Sequence, residues 1–285
     1  MELKVRRPYV AGSWYPGTAE SLRREIERCF THRLGYGRIP EVARDGLRLI
    51  IGLVSPHAGY MYSGPIASIG YGKLAEDGIP ESVIIIGPNH TGLGSAVSVM
   101  VEGLWETPLG FVEIDTALAK AIVEASGIAD IDDYAHRFEH SLEIQLPFLQ
   151  YLYGSSFKIV PICMMLRDYD TARELGESIA SSVAGRNTLI LASTDFTHYE
   201  PHKIAVEKDR LAMEAILKLD AELLLQRVEE NDISMCGSGP VATMIVACKK
   251  LGASRAELLG YATSGDITGD RSAVVGYASI AVYSR

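Results

Sequence analysis

The sequence predicts a three-layer α/β/α fold with a mostly parallel central sheet, and three observations lead there. Short apolar, β-branched runs alternate with helix-patterned segments over most of the 285 residues, the pattern of a sheet covered on both faces. Two of the runs, 47–54 (LRLIIGLV) and 82–87 (SVIIIG), flank a segment, 65–74, that carries Ile66, Ile69 and Leu74 at roughly helical spacing. A strand–helix–strand unit of this length makes a right-handed crossover between parallel strands. No repeat, long linker or compositional break interrupts the chain, so residues 1–285 are read as one domain.

Taken in order, residues 18–31 read as an early helix, with Thr18 as N-cap and Glu20 in its first turn. The strands at 47–54 and 82–87 follow, then an extended segment at 95–101. Residues 105–114 contain Thr107-Pro108-Leu109-Gly110, a turn between extended pieces. Asp115 can cap a helix over 115–126, and 143–153 reads as another helix that Pro147 either starts or kinks. Strands at 158–163 (KIVPIC) and 187–192 (NTLILA) lie on either side of a helix at 169–183. Helices at 203–218 and 220–229 come next, then an apolar helix at 239–251 with lysines in its last turn. The closing segments, 258–263 and 272–283, are strands joined by a polar loop and suited to antiparallel pairing.

Composition excludes several classes of function. A hydrophobic content of 47% supports a sizeable core. A formal charge of −9 argues against a nucleic-acid partner, which favours a basic face. No apolar run reaches the roughly 18–20 residues a membrane span needs. The first residues, MELKVRRPYV, lack a secretory apolar core, and four cysteines in so long a chain fit a reducing compartment. The expectation is a cytoplasmic protein with no membrane partner.

The chemistry-bearing residues gather at strand ends. His57 lies just beyond the first run, in Ser55-Pro56-His57-Ala58-Gly59-Tyr60, and His90 just beyond the second, in Pro88-Asn89-His90-Thr91-Gly92. A right-handed crossover brings both imidazoles to one carboxyl edge, where open α/β folds place their sites. Imidazole nitrogens suit zinc, iron and copper, so a shared metal or acid–base site is favoured over two histidines merely bonded in turns. A further strand end adds Asp195 and His198. A carboxylate there can fix a histidine's tautomer or accept its proton, and Asp195 can equally cap the helix at 203–218.

Cys236 falls in Ser234-Met235-Cys236-Gly237-Ser238-Gly239-Pro240, just ahead of an apolar helix whose dipole is expected to favour thiolate. Glycines on its far side permit close backbone approach. Cys29, Cys163 and Cys248 read as small buried residues. Glu139-His140-Ser141-Leu142-Glu143 resembles a capped helix start, with His140 as a nearby acid–base candidate. Asp266 and Asp270 lack the twelve-residue calcium loop and read as a polar turn. There is no Walker loop, GxSxG elbow or GxGxxG after a strand, so ATP, serine-hydrolase and NAD chemistry lack support.

Six motifs in order, RRPYVAGSWYP, SPHAGYMYSGPIA, GPNHTG, EHSLEIQLPFL, STDFTHYEP and MCGSGP, resemble the Memo family from about Arg7 to the last strand. The resemblance implies a fold like that of class III extradiol dioxygenases, an architecture that binds non-haem iron. It places metal-site positions on His57, His90 and Cys236, further pocket positions on Asp195 and His198, and cleft-lining positions on Trp14 and Tyr62. It also implies association with a radical SAM protein and an AMMECR-type protein, as for prokaryotic relatives. Eukaryotic relatives are described as phosphotyrosine-peptide binders and as metal-dependent redox proteins. The usual non-haem iron shell has two histidines and a carboxylate; a thiolate third ligand is softer and itself oxidisable.

Three functional readings follow. The first is a metalloprotein of oxidoreductase character, with one iron or copper ion on His57, His90 and Cys236. There His198, oriented by Asp195, handles protons. The second is a module that binds a peptide or small ligand, with Trp14, Tyr60 and Tyr62 as aromatic walls and histidines, His140 among them, as polar anchors. A scaffold for the radical SAM partner is the third alternative.

Overall fold

A computed structural model describes residues 4–284. After the short strand β1 (Val5–Arg6), helix α1 (Ala19–Thr31) starts where the Thr18 hydroxyl accepts the Ser21 N–H. The chain then forms β2 (Ile50–Ser55), α2 (Tyr60–Asp77), β3 (Ser82–Pro88), β4 (Val97–Val99), β5 (Leu104–Thr107) and β6 (Gly110–Ile114). Next come α3 (Thr116–Ala125), β7 (Asp130–Ile131), α4 (His140–Glu143), α5 (Leu146–Tyr153), β8 (Lys158–Met164), α6 (Tyr169–Val183) and β9 (Thr188–Ser193). The last third holds β10 (His198–Glu200), α7 (His202–Leu217), α8 (Ala221–Glu230), α9 (Ser238–Lys250), β11 (Arg255–Thr263), α10 (Ser264–Thr268) and β12 (Val274–Tyr283). Asp115, Asp168 and Asp220 cap α3, α6 and α8 by accepting first-turn N–H groups.

The strands join one sheet in the order β1-β5-β6-β8-β3-β9-β2-β12-β10. Its centre, β6-β8-β3-β9-β2, is parallel. Antiparallel pairs flank it, β12 with β2, β10 and β11, and β5 with β6, while the terminal strand β1 pairs parallel with β5. Helices α1, α2 and α5 pack together, with α2 against β2, β11 and β12. Helices α3, α6, α8 and α9 form a second group, with α9 against β2, β3 and β9. The fold is the mixed α/β architecture that the alternation predicts. Among the described residues no helix is long and apolar enough to cross a membrane.

Five details differ from expectation. β2 begins at Ile50, because Leu47 and Leu49 are exposed and Arg48 has a φ of 52°. The segment expected to be extended over 95–101 forms only the three residues of β4. The helix over 143–153 is two pieces, with Pro147 in the first turn of α5, where its missing N–H costs nothing. Helix α2 starts at Tyr60, earlier than its apolar spacing suggested, and carries Pro65 inside it. The polar loop before β12 also holds α10, where Asp266 is the partner of Thr263 in a capping box.

One buried group outside the strand-end cluster is expected to add to the acid sensitivity of the fold. His136 is fully enclosed beside Trp105, and neither ring nitrogen has a hydrogen-bond partner among the described residues. Burial first, and then the Arg6 charge, push its pKa down to about 4. The unfolded chain takes up this proton near 6.5, so stability is lost as pH falls from about 6.5 towards 4. His136→Leu should reduce the slope of Tm against pH in that window; an undiminished slope would assign the sensitivity to other buried histidines.

Candidate metal centre

Strands β2, β9 and β3 lie side by side and end on the same edge, with β9 between the other two. Each releases a functional residue two positions past its end or nearly so: His57 after Ser55, Asp195 after Ser193 and His90 after Pro88. The His57 and His90 rings stand 5.2 Å apart and almost perpendicular. Cys236, in the turn before α9, brings Sγ to 3.2 Å from His57 Nε2. One donor atom from each of His57, His90 and Cys236 falls within a set no wider than 4.8 Å.

The hydrogen bonds around the two histidines decide which nitrogens are free. Ser193 Oγ donates to the Ser141 carbonyl at 2.6 Å and accepts from Gln145 Nε2 at 2.8 Å. Its remaining contact, 2.9 Å to His57 Nδ1, therefore has the ring as donor. His90 Nδ1 lies 2.9 Å from the Glu139 carboxylate, which also accepts the His90 and Ser141 backbone N–H groups. Burial alone would raise the Glu139 carboxyl, but the His90 hydrogen bond, both neighbouring histidines and Ser141 outweigh it and bring the pKa to about 2. Glu139 is thus an anion that holds His90 Nδ1–H. Both rings thus donate through Nδ1, so Nε2 is the nitrogen left to act as a ligand.

Cys236 departs from the expectation of a helix-lowered thiol. It precedes the α9 N-cap and is buried, and its Sγ accepts the Asp195 N–H at 3.3 Å. Burial first, and then the Asp195 charge, push its pKa up to about 12. Only a cation beside the sulfur would reverse that. Asp195 itself is not a helix cap. Its carboxylate accepts the His57 N–H at 2.8 Å, while α7 begins after Pro201 with no side-chain cap. Nor does Asp195 orient His198, as the sequence suggested. Ser234 does so, its hydroxyl accepting the His198 N–H at 2.7 Å and its carbonyl facing His198 Nδ1 at 2.8 Å. A carbonyl only accepts, so His198 donates through Nδ1 and Nε2 is the ring nitrogen left towards the cleft.

A cleft of about 1080 Å³ opens over this cluster, and Trp14, Tyr62, His140, His198 and Tyr277 are among its walls. His140 stacks on His90 at 4.5 Å and is covered by Trp14 at 4.2 Å. Burial first, and then His57, lower the His140 pKa to about 3, so the ring is neutral; burial also holds His57 well below the usual histidine range. Tyr60 borders the cleft but is not an open aromatic wall. Its ring is buried against Phe148 and its hydroxyl donates to the Ile144 carbonyl.

Sequence reasoning missed the supporting groups Ser193, Gln145, Glu139 and Ser234, although Glu139 had been singled out as part of a helix start. It also missed Tyr199, a rim residue 78% exposed with φ of 58°, set where β10 shifts register against β12. A non-glycine residue in the left-handed region is uncommon, and this one lines the cleft. Nothing in the local sequence foretold it.

Two imidazoles held through Nδ1 and a thiol at the carboxyl edge of a parallel sheet define an α/β protein with a candidate metal-donor set. Residues 6–281 match the family described as Memo-like protein. MEMO1 family protein MK0963 of Methanopyrus kandleri is 56% identical over 277 residues, spanning 96% of this chain and 98% of that one. The MEMO1 family protein of Ignicoccus hospitalis is 53% identical over 278 residues, spanning 97% and 98%. The chain belongs to the Memo-like family. The fold is also shared with the crystal structure of uncharacterized protein JW3007 from Escherichia coli K12, with a TM-score of 0.56, 14% identity, and coverage of 81% of this chain and 99% of that one.

Proposed function

We propose that this protein holds one iron or copper ion on His57, His90 and Cys236 and supports redox chemistry on a ligand in the adjoining cleft. The observation that carries this reading is the double commitment of Nδ1: Ser193 and Glu139 occupy that nitrogen in each ring, leaving Nε2 of each as the ligating nitrogen, with His57 Nε2 at 3.2 Å from the Cys236 sulfur and a donor of His90 within 4.8 Å of both. A carboxylate on the far nitrogen of a ligating histidine is a recurrent device for fixing the ring and raising its basicity. Imidazole with thiolate suits iron and copper better than it suits magnesium or calcium. When bound, such an ion supplies Lewis acidity and electron transfer.

The protein's own residues do the rest. His198 Nε2, on the cleft wall, is placed to take a proton from a bound ligand while its Nδ1–H stays on the Ser234 carbonyl. Trp14 and Tyr62 offer partly exposed rings for a flat or apolar group. Asp195 holds the His57 backbone, and its own N–H meets Cys236 Sγ, so one residue steadies two donors. The size of the cleft and its aromatic rim favour a second reading, a metal-independent binding module for a peptide or small ligand. A radical SAM protein and an AMMECR-type protein are the proposed partners and the cytoplasm the proposed compartment, as the motif resemblance implies.

Elemental analysis of anaerobically purified protein tests the first reading. Wild type should carry close to one iron or copper per chain, and His57→Ala and Cys236→Ser should carry little. A wild type that stays metal-free after reconstitution would leave the binding module. Metal uptake should also displace the Cys236 proton, since that thiol titrates near 12 without an ion. About one proton should therefore be released per ion at neutral pH, with affinity rising as pH rises. Calorimetric titration in buffers of different ionisation enthalpy measures this; the absence of proton release would remove Cys236 from the ligand set.

A further inference from the structure

We infer that the buried Arg6–Glu143 pair is a positioning device for the metal centre, one that sets the His90 ligand and the Trp14 wall together. The inference rests on the metal reading above. Arg6 sits on β1 and Glu143 at the end of α4, and both side chains are buried. The guanidinium spends its donors on three separate acceptors. Nη1 pairs with the Glu143 carboxylate, Nε donates to the His136 carbonyl at 3.0 Å, and Nη2 donates to the Glu139 carbonyl at 2.8 Å. Its plane also lies 4.5 Å from the centre of the Trp105 ring. Arg6 therefore grips the backbone of the residue whose carboxylate holds His90.

Glu143 works in the other direction. Besides Arg6 it accepts the Tyr9 N–H at 2.8 Å, the Val10 N–H at 3.0 Å and the Tyr15 hydroxyl at 2.7 Å. Those contacts fix both ends of the loop that bears Trp14. The Trp14 carbonyl in turn accepts the Tyr60 N–H at 2.9 Å, tying the loop to the start of α2 just past His57. The Trp14 ring rests on His140, which stacks on His90. A single ion pair thus reaches one metal ligand by two routes, through the Glu139 backbone and through the Trp14–His140 stack. A pair serving stability alone would not need to end on both.

Lysine can supply the charge of Arg6 but not a planar fork for three acceptors, which makes Arg6→Lys the discriminating variant. Cobalt(II) is the probe, because its ligand-field and thiolate charge-transfer bands report the donor geometry directly. Arg6→Lys and Glu143→Gln should bind cobalt about 10–100-fold more weakly than wild type, the range for a lost outer-shell partner. Their bands should also shift, at a temperature where near-UV circular dichroism shows the metal-free variants folded. Tyr15→Phe removes one Glu143 donor and should give a smaller loss in the same direction, which keeps the test available if the charge variants do not fold.

Arg48→Lys is the control. Arg48 pairs with Asp77 at 2.9 Å near the start of β2, at the opposite edge of the sheet. This variant should lower Tm yet leave cobalt affinity and spectrum unchanged. Folded Arg6, Glu143 and Tyr15 variants with wild-type affinity and bands would overturn the positioning role while leaving the metal centre intact. A wild type that binds no cobalt would instead overturn the metal reading, and the positioning role with it.

Discussion

Gly237→Ala is expected to abolish tight metal binding without any change to a ligand. A Cβ at Gly237 would stand 2.4 Å from the Ser193 carbonyl oxygen and 2.5 Å from Thr194 Cβ. Neither atom can swing aside. Ser193 ends β9, hydrogen-bonded between β2 and β3 in the middle of the sheet, and Thr194 Oγ1 already accepts the Gly237 N–H at 3.0 Å. The displacement therefore falls on the turn, and the turn carries Cys236. Because a donor itself moves, affinity should fall by at least about a hundredfold, beyond the usual loss of an outer-shell partner. Stability should drop by about 1–3 kcal/mol, as for other overpacked sites. Competitive metal titration and thermal melts read the two effects separately; affinity kept at the wild-type level would mean that Cys236 is not a ligand.

Glu139→Gln should weaken the metal by about 10–100-fold while preserving side-chain shape. The carboxylate accepts three N–H groups, His90 Nδ1–H and the backbone N–H of His90 and of Ser141. Glutamine replaces one acceptor oxygen by an NH₂, which must face one of those donors and leave it unpaired. The orientation of His90 is then no longer enforced. With a pKa near 2 in the folded protein, wild-type Glu139 stays ionised through the acid range in which His90 would be tested. Its contribution to stability is complete above the unfolded glutamate value and is lost only as pH falls towards 2. Acid release of metal above pH 3 should therefore reflect protonation of the donors, and Glu139→Gln should lower affinity at every pH in that range. An affinity equal to wild type would show that His90 needs no partner to bind.

These two substitutions lie at opposite ends of what could be read from the chain. Gly237 sits in a motif already noted for glycines that permit close approach, and its neighbour Cys236 was already a donor candidate. The role of Glu139 was not visible. It was read as part of a helix start, and it does cap α4 through the Ser141 N–H. That same carboxylate also reaches across 49 residues to His90, and no local spacing encodes such a contact. For His198 the local spacing points to Asp195, three positions away, whereas Ser234, 36 residues on, holds its ring.

The sequence by itself determined the layered α/β plan, the strands that carry His57 and His90, and the edge to which both are delivered. Those follow from apolar periodicity and from the handedness of crossovers, which are local or nearly so. Tertiary structure alone decided that β9 enters between β2 and β3, bringing Ser193 under His57 and Asp195 beside Cys236. It also decided which ring nitrogens are bare, that the Cys236 thiol is raised by burial rather than lowered by a helix, and that Tyr60 turns into the core. Each of these depends on which groups meet across the sheet, with Cys236 and His57 separated by 179 residues. A hydrogen-bond partner or a degree of burial is a property of the packed sheet edge, and it exists only once distant segments have met there.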